Sequence, residues 1–332
     1  MHGNWLPAAA PAGLSENRLV GAVAGGEAGA VDGEGEPMRV HRCPAGTWEA
    51  VRRLPHPALR PGVLGYRGFR LALGGTRRRL EIPCAAVTVL LNFGRPLRIS
   101  CAVTGRTLLS TAAPMVSGMV SRPTVGEHEG ELQGIEVTLR PWAAFRLFGV
   151  EMHELANAVT ATAALGGTAA RCQDLADALA AVPTWGERFR ILDATLRLWQ
   201  EAGPAPCSRT VWAWQRLEPS GGALPVRTLA AEVSWSERQL ERRFREQVGL
   251  PPRTAARVLR VRRALRALSV GTPPAEAALL SGYYDQAHLN RDFKAMTAHS
   301  PSRVLALRSS SRPGPAEVDR VPGQVTSAVL PA

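Results

Sequence analysis

The 332-residue sequence is nearly devoid of lysine: of its 40 basic residues only Lys294 is not arginine. With 32 glycines, 26 prolines and abundant alanine, that skew fits GC-rich coding. Arginine in place of lysine is therefore no functional signal here. Cysteine is scarce as well. Cys43, Cys84, Cys101, Cys172 and Cys207 are odd in number and never form C-x-x-C, which excludes a disulfide framework and a zinc ribbon. Thiols of a reduced, cytoplasmic protein are expected instead. No apolar run approaches the roughly 18 residues that a spanning helix needs. Residues 1–36 are broken by Gly, Pro and acidic residues and lack the pattern of a signal peptide.

Catalytic patterns are missing too. The seven histidines are His2, His41, His56, His128, His153, His288 and His299, and they form no H-x-H or H-E-x-x-H. No G-x-S-x-G elbow and no phosphate-binding loop occur. The expectation is a protein that is not an enzyme, with no metal and no cofactor. His128, in Glu127-His128-Glu129, reads either as a ligand contact or single metal ligand or as a solvated loop histidine. His153 has the same two readings.

What the chain does have is positive charge in one place. The net charge is +12, and between Pro204 and Arg308 17 basic residues face eight acidic ones. Under a third of the chain thus carries three quarters of the surplus, as in a dedicated polyanion-binding module. Upstream, residues 1–38 are Ala/Gly/Pro-rich without periodicity and read as disordered. A β-rich sensory or dimerisation domain is expected over 39–203. Within it Val87 to Phe93 is a buried-strand run, and Gly134 to Leu139 alternates apolar and polar. Pro141 suits the first turn of a helix through Phe148. A second helix is expected over 171–182 and a third from Thr184, whose T-x-x-E with Glu187 is a capping box. On that third helix Trp185, Phe189, Leu192, Leu196 and Trp199 form an apolar stripe. Packing against the strands and a homodimer seam both explain it. Residues 204–224 read as a linker helix followed by the Ser220-Gly221-Gly222 linker. A disordered tail is expected over 309–332.

The basic module, 225–308, contains one pattern twice. Ser236 to Phe244 reads SERQLERRF and Asp285 to Phe293 reads DQAHLNRDF, sharing L-x-R-x-F at an offset of 49. A basic residue follows each Phe (Arg245, Lys294), and a proline stands eight residues beyond it (Pro252, Pro301). A short apolar helix precedes each copy, so two helix-turn-helix units are expected, about 228–248 and about 275–298. Ser236 and Gln239 form a capping box that starts the first recognition helix. On that helix Leu240, Phe244 and Val248 share one face, with Arg238, Arg242 and Arg245 opposite. On the second, Leu289 and Phe293 form the back and Ala287, Arg291 and Lys294 the front, flanked by Gln286, His288 and Asn290. Arginine can grip guanine or phosphate, amides suit adenine, and an alanine methyl suits thymine. One helix over 252–269, about 27 Å long at 1.5 Å per residue, joins the units. Major grooves on one face of B-DNA recur about every 34 Å, so one monomer can reach two adjacent grooves.

From about Val226 to Arg308 the chain resembles the AraC/XylS family of transcription regulators. The most specific stretch is Gly282-Tyr283-Tyr284-Asp285-Gln286-Ala287-His288-Leu289-Asn290-Arg291-Asp292-Phe293-Lys294, which follows the family form G-[FY]-x-D-Q-x-H-[FL]-x-R-x-F-[KR]. The resemblance implies base contacts at Arg238, Glu241 and Arg242, and at Gln286, Ala287, His288 and Arg291. Ala298 stands where the family often has glycine. Residues 47–200 resemble the β-rich, cupin-like sensory domains of one subgroup, which bind small effectors and often dimerise through helices.

The expected fold class is therefore α+β, a cupin-like β-rich domain with a helical pair, then about seven helices holding two helix-turn-helix units. The expected function is a sequence-specific DNA-binding regulator, an activator by resemblance, answering an unidentified small effector. Double-stranded DNA, RNA polymerase and a second copy of the chain are the expected partners. A non-specific nucleic-acid binder and a cupin-type enzyme with an appended DNA-binding domain are the alternatives.

Overall fold

The computed structural model describes residues 39–43, 46–309, 319–320 and 324–331. The segment 1–38, expected to be disordered, lies outside them. Ten strands open the chain: β1 Arg39–Cys43, β2 Gly46–Arg53, β3 Val63–Leu73, β4 Arg77–Glu81, β5 Val87–Asn92, β6 Leu97–Cys101, β7 Thr107–Thr111, β8 Met115–Ser117, β9 Thr124–His128 and β10 Glu131–Leu139. Helix α1 Pro141–Phe148, strand β11 Val159–Ala161 and helices α2 Gly167–Ala170, α3 Cys172–Ala181 and α4 Trp185–Ala202 complete the N-terminal half. The C-terminal half holds α5 Ser208–Leu217, α6 Val226–Glu232, α7 Glu237–Gln247, α8 Pro252–Ser269, α9 Pro274–Leu280, α10 Gln286–Thr297 and α11 Pro301–Ser309. A last strand, β12 Ser327–Leu330, follows. Among the described residues no helix is long and apolar enough to cross a membrane.

The strands form two antiparallel sheets, ordered β1-β2-β3-β10-β5-β8-β11 and β12-β4-β9-β6-β7. Phe69, Leu90 and Leu132 of the larger sheet pack with Leu97 and Ile99 of the smaller one. The other face of the larger sheet is covered by α1, α3 and α4, through Val89, Leu91, Ile135, Val137 and Leu139. With both faces covered, every residue of β5 is buried, which is why its sequence is a continuous apolar run. The same cover changes the reading of β10. Its alternation suggested a wet polar face, yet Glu136 and Thr138 are buried because that face looks toward the second sheet.

The capping box on α4 is present: Thr184 Oγ1 accepts from the Glu187 N–H at 3.2 Å and Glu187 answers the Thr184 N–H. The apolar stripe behind it is not a dimer seam. Phe189, Leu192, Leu196 and Trp199 are buried in the cluster beneath the larger sheet, and Phe189 stacks on Tyr66 at 5.8 Å. Asp193, which accepts from Tyr66 Oη and the His56 N–H at 2.9 Å each, pins the helix further. Each fully buried Leu or Phe contributes about 1.5–3 kcal/mol, so the stripe is already spent inside one chain.

Two expected linkers are corrected as well. Helix α5 is part of the C-terminal core, for Ala213, Trp214 and Leu217 are buried among α6, α7 and α8 residues. Gly222 is a packed turn, with φ of +78° and its Cα so close to Ala256 that a Cβ would meet that carbonyl oxygen at 2.1 Å. Within the tail expected to be disordered, 310–318, 321–323 and 332 lie outside the described residues, but β12 pairs with β4 of the N-terminal half. Asp319 takes both ends of the Arg308 guanidinium at 2.9 and 2.7 Å, and also the Thr326 N–H at 2.8 Å. Composition hid this, since only four residues of that tail form the strand and their partners lie some 250 residues away.

The two halves share one apolar seam in which Leu80, Ile82, Met119 and Trp142 join the helical core. Arg140 at the start of α1 also pairs with Glu218 after α5, at 3.0 Å.

Candidate nucleic-acid interface and effector cavity

Each helix-turn-helix unit is built by the same local chemistry. In the first, α6 turns through Ser234 at φ of +55° and the Trp235 N–H donates to Ala230 O at 2.9 Å. Ser236 Oγ then accepts from the Gln239 N–H at 3.2 Å and starts α7. In the second, α9 turns through Gly282 at φ of +77°, and the Tyr283 N–H donates to Ala278 O at 3.0 Å. Asp285 Oδ1 accepts from the His288 N–H at 2.6 Å and starts α10. Leu240, Phe244, Leu289 and Phe293 are all fully buried; the repeated Leu and Phe are the inward face of both helices.

The outward faces carry the residues expected to meet DNA. Arg238, Glu241, Arg242 and Arg245 are exposed on α7. Gln286, Ala287, Asn290, Arg291 and Lys294 are exposed on α10. His288, expected to flank this face with a base-competent side chain, is half-buried and edge-on against Tyr283 at 5.1 Å between centroids. Arg245 is paired with Glu241 at 3.1 Å, one turn away. Among the described residues Arg238, Arg242, Arg291 and Lys294 form no ion pair, so their charge is available to a partner. Arg257 of α8 holds Asp292 of α10 at 2.9 Å, which orients the second recognition helix on the connecting helix. Tyr284, fully outside at the entrance to α10, stands beside this face and carries no local pattern that marks it.

A second site lies between the sheets. It is a cavity of about 80 Å³, lined on the apolar side by Phe69, Leu90, Leu97, Leu132 and Val329. Its polar wall is a buried charge network. Arg67 donates to Glu136 at 2.7 Å and Arg79 to the same carboxylate at 2.9 Å. Glu81 is shared by Arg79 and Arg320, and Arg320 also reaches Thr88 Oγ1 at 3.2 Å. Burial opposes the Glu136 charge, but Arg67 and Arg79 hold its carboxyl below the ordinary range. Burial lowers Arg67 to about 10, and burial with the field of Arg79 and Arg67 brings Arg320 to about 9.

At the cavity's end Arg77 of β4 and His128 of β9 face each other across the ladder. His128 is the last residue of β9, half-buried, and the solvated-loop reading does not hold. Burial, then Arg79 and Arg77, lower its imidazole to about 4 and keep it neutral. Nothing in the local sequence singles out Arg67, Arg77, Arg79, Glu81 and Glu136. Their association is a product of strand register. His153, by contrast, is exposed and pairs only with Glu151, at 3.1 Å. Among the described residues no group of three His, Cys, Asp or Glu is placed to hold a metal.

Residues 229–306 match the family model described as a helix-turn-helix domain. No curated protein sequence matches the chain. Among solved structures, ToxT from Vibrio cholerae O395 aligns over 71% of this chain and 98% of its own, at 9% identity and a TM-score of 0.42. Unsaturated fatty acid bound wild-type ToxT from Vibrio cholerae strain SCE256 aligns over 76% and 96%, at 11% identity and a TM-score of 0.41. The AraC-like transcriptional activator CuxR aligns over 74% and 85%, at 14% identity and a TM-score of 0.20. The family match covers both helix-turn-helix units, and the Gly282 to Lys294 signature falls on the turn and recognition helix of the second. The chain carries a helix-turn-helix domain over residues 229–306.

Proposed function

We propose that the protein binds specific DNA sites and activates transcription when a small effector occupies its N-terminal domain. The observation that carries this reading is the pair of recognition helices. Both bury a Leu–Phe back, both present unpaired cations, and α8 holds them apart as a rigid strut of 18 residues. A strut of that length, about 27 Å, suits adjacent major grooves about 34 Å apart. In this reading Arg238, Glu241 and Arg242 in α7, and Gln286, Ala287, Asn290 and Arg291 in α10, face base edges. His288 steadies the second helix from its seat on Tyr283. Arg245 and Lys294 lie where phosphates pass. The domain from 39 to 203 senses the effector, and the domain from 225 to 308, with α5 packed onto it, carries the signal to DNA and to RNA polymerase.

The experiment is selection of bound duplexes from a random pool, then gel-shift titration of the selected site against random DNA at several salt concentrations. A selected site bound about 10³-fold or more tightly supports the regulator. Equal affinity for both duplexes, with a steep salt dependence, points instead to a non-specific nucleic-acid binder.

A further inference from the structure

The turn into α10 mounts a side chain that the repeat leaves out, and its use rests on the reading that the two recognition helices bind DNA. Tyr284 is 88% exposed, more than any other large apolar side chain among the described residues. A lone exposed apolar side chain is ordinary at a protein surface. What sets Tyr284 apart is its mounting.

Both of its chain neighbours are pinned. Tyr283 is buried, its N–H donates to Ala278 O at 3.0 Å, and its ring sits between His288 and the Arg260 guanidinium, 5.1 and 5.6 Å from its centre. Asp285 caps α10 by accepting the His288 N–H at 2.6 Å. The backbone at Tyr284 is therefore held before any partner arrives, and a tyrosine has few torsions left to order. The first unit has no such residue. There Trp235, half-buried beside Arg209 at 5.7 Å, is followed at once by the cap, Ser236.

Position then selects the partner. In a helix-turn-helix the first residues of the recognition helix meet base edges in the major groove. The chain entering that helix crosses the rim of the groove, where the phosphates run. Tyr284 stands two residues, at most about 7 Å of chain, before Gln286, the first residue of α10. The carboxylates of Asp285 and Asp292 are engaged on the protein side, one in the cap and the other by Arg257 at 2.9 Å. A phenolic hydroxyl can donate to a phosphate oxygen, and its ring offers an apolar face to the adjoining sugar.

We propose that Tyr284 is a DNA-backbone contact peculiar to the second half-site, its hydroxyl donating to a phosphate at the rim of the groove that α10 enters. The first unit has no counterpart, so this contact helps to fix the register of α10 alone.

Gel-shift titration of Tyr284→Phe and Tyr284→Ala in the full chain, on the selected site and on random duplex, tests this, with melting temperature checking the fold. Tyr284→Phe removes one hydrogen bond to a charged acceptor and should bind both duplexes about tenfold more weakly. The salt slope should stay unchanged, because no cation is lost. Tyr284→Ala should lose at least as much. Ethylation of the selected site should reveal one phosphate beside the α10 half-site whose modification weakens the wild type and no longer matters to Tyr284→Phe. If Tyr284→Phe binds as the wild type does and only Tyr284→Ala is weakened, the ring makes the contact and the phosphate assignment falls. A loss confined to the selected site overturns it too, by making Tyr284 a base reader. If neither variant changes DNA binding, the proposal falls and the exposed ring is left to a protein partner. In these three cases DNA binding by the recognition helices stands; if the wild type binds neither duplex, both readings fall.

Discussion

The two helix-turn-helix units repeat one design and differ in three instructive ways. Counting back from the recognition helices, Ser236 corresponds to Asp285 at an offset of 49, yet Trp235 corresponds to Tyr283 at 48. The second turn is one residue longer, and the extra residue, Tyr284, is fully exposed. The outward faces differ too. The first is almost wholly charged and partly self-neutralised by Glu241, whereas the second mixes amides with two cations. Anchorage is the third difference. The first unit rests directly on the N-terminal half, where Gly249 lies against the Met152 carbonyl. The second is tied through the tail, by Arg308 and Asp319 and then by β12. One unit is seated; the other is strapped.

The largest test of that contrast is the strap. Asp319→Ala strands the buried Arg308 charge and should cost about 3–5 kcal/mol in urea unfolding. A loss below about 1 kcal/mol would mean the tail does not anchor the second unit. The outward faces come next. Arg242→Ala and Arg291→Ala should each lose about 1–3 kcal/mol on the selected site and little on random duplex, read by gel shift. If both leave specific binding unchanged, neither helix reads bases through these arginines.

The closing turns differ in a way that predicts opposite signs. Gly249 and Ala298 both have positive φ, +97° and +60°, one residue being free to adopt it and the other strained. Gly249→Ala should destabilise by about 1–2 kcal/mol for the backbone alone, and more because its Cβ would stand 2.7 Å from Met152 O. Ala298→Gly should stabilise by up to about 1 kcal/mol, checked by the same unfolding curves. A loss on Ala298→Gly would show that the αL strain is not the governing cost. The smallest effect belongs to Arg245→Ala. Because Glu241 already engages that arginine at the surface, it should weaken all duplexes alike and lower the salt slope by about one. A loss confined to the selected site would make it a base reader.

Much of the C-terminal half was legible because its determinants are local. Caps act over three residues and an apolar face repeats every three or four, so Ser236, Leu240 and Phe244 announce a helix and its buried side without any partner in view. The capping box at Thr184 was legible for the same reason. The stripe on α4 shows the limit: periodicity declares that a face is buried and is silent on what buries it. Here the partner is the chain's own sheet, and a seam for a second copy was an equally good reading of the same residues.

By itself the sequence determined the repeat, its two recognition helices, the concentration of charge around them and the composition of the strands. Tertiary structure alone decided the cavity, the strap and the seam between the halves. The physical reason is range. Arg77 meets His128 only through strand register, Glu136 gathers arginines from two sheets, and β12 finds β4 across almost the whole chain. None of those pairings leaves a trace in the spacing of neighbouring residues.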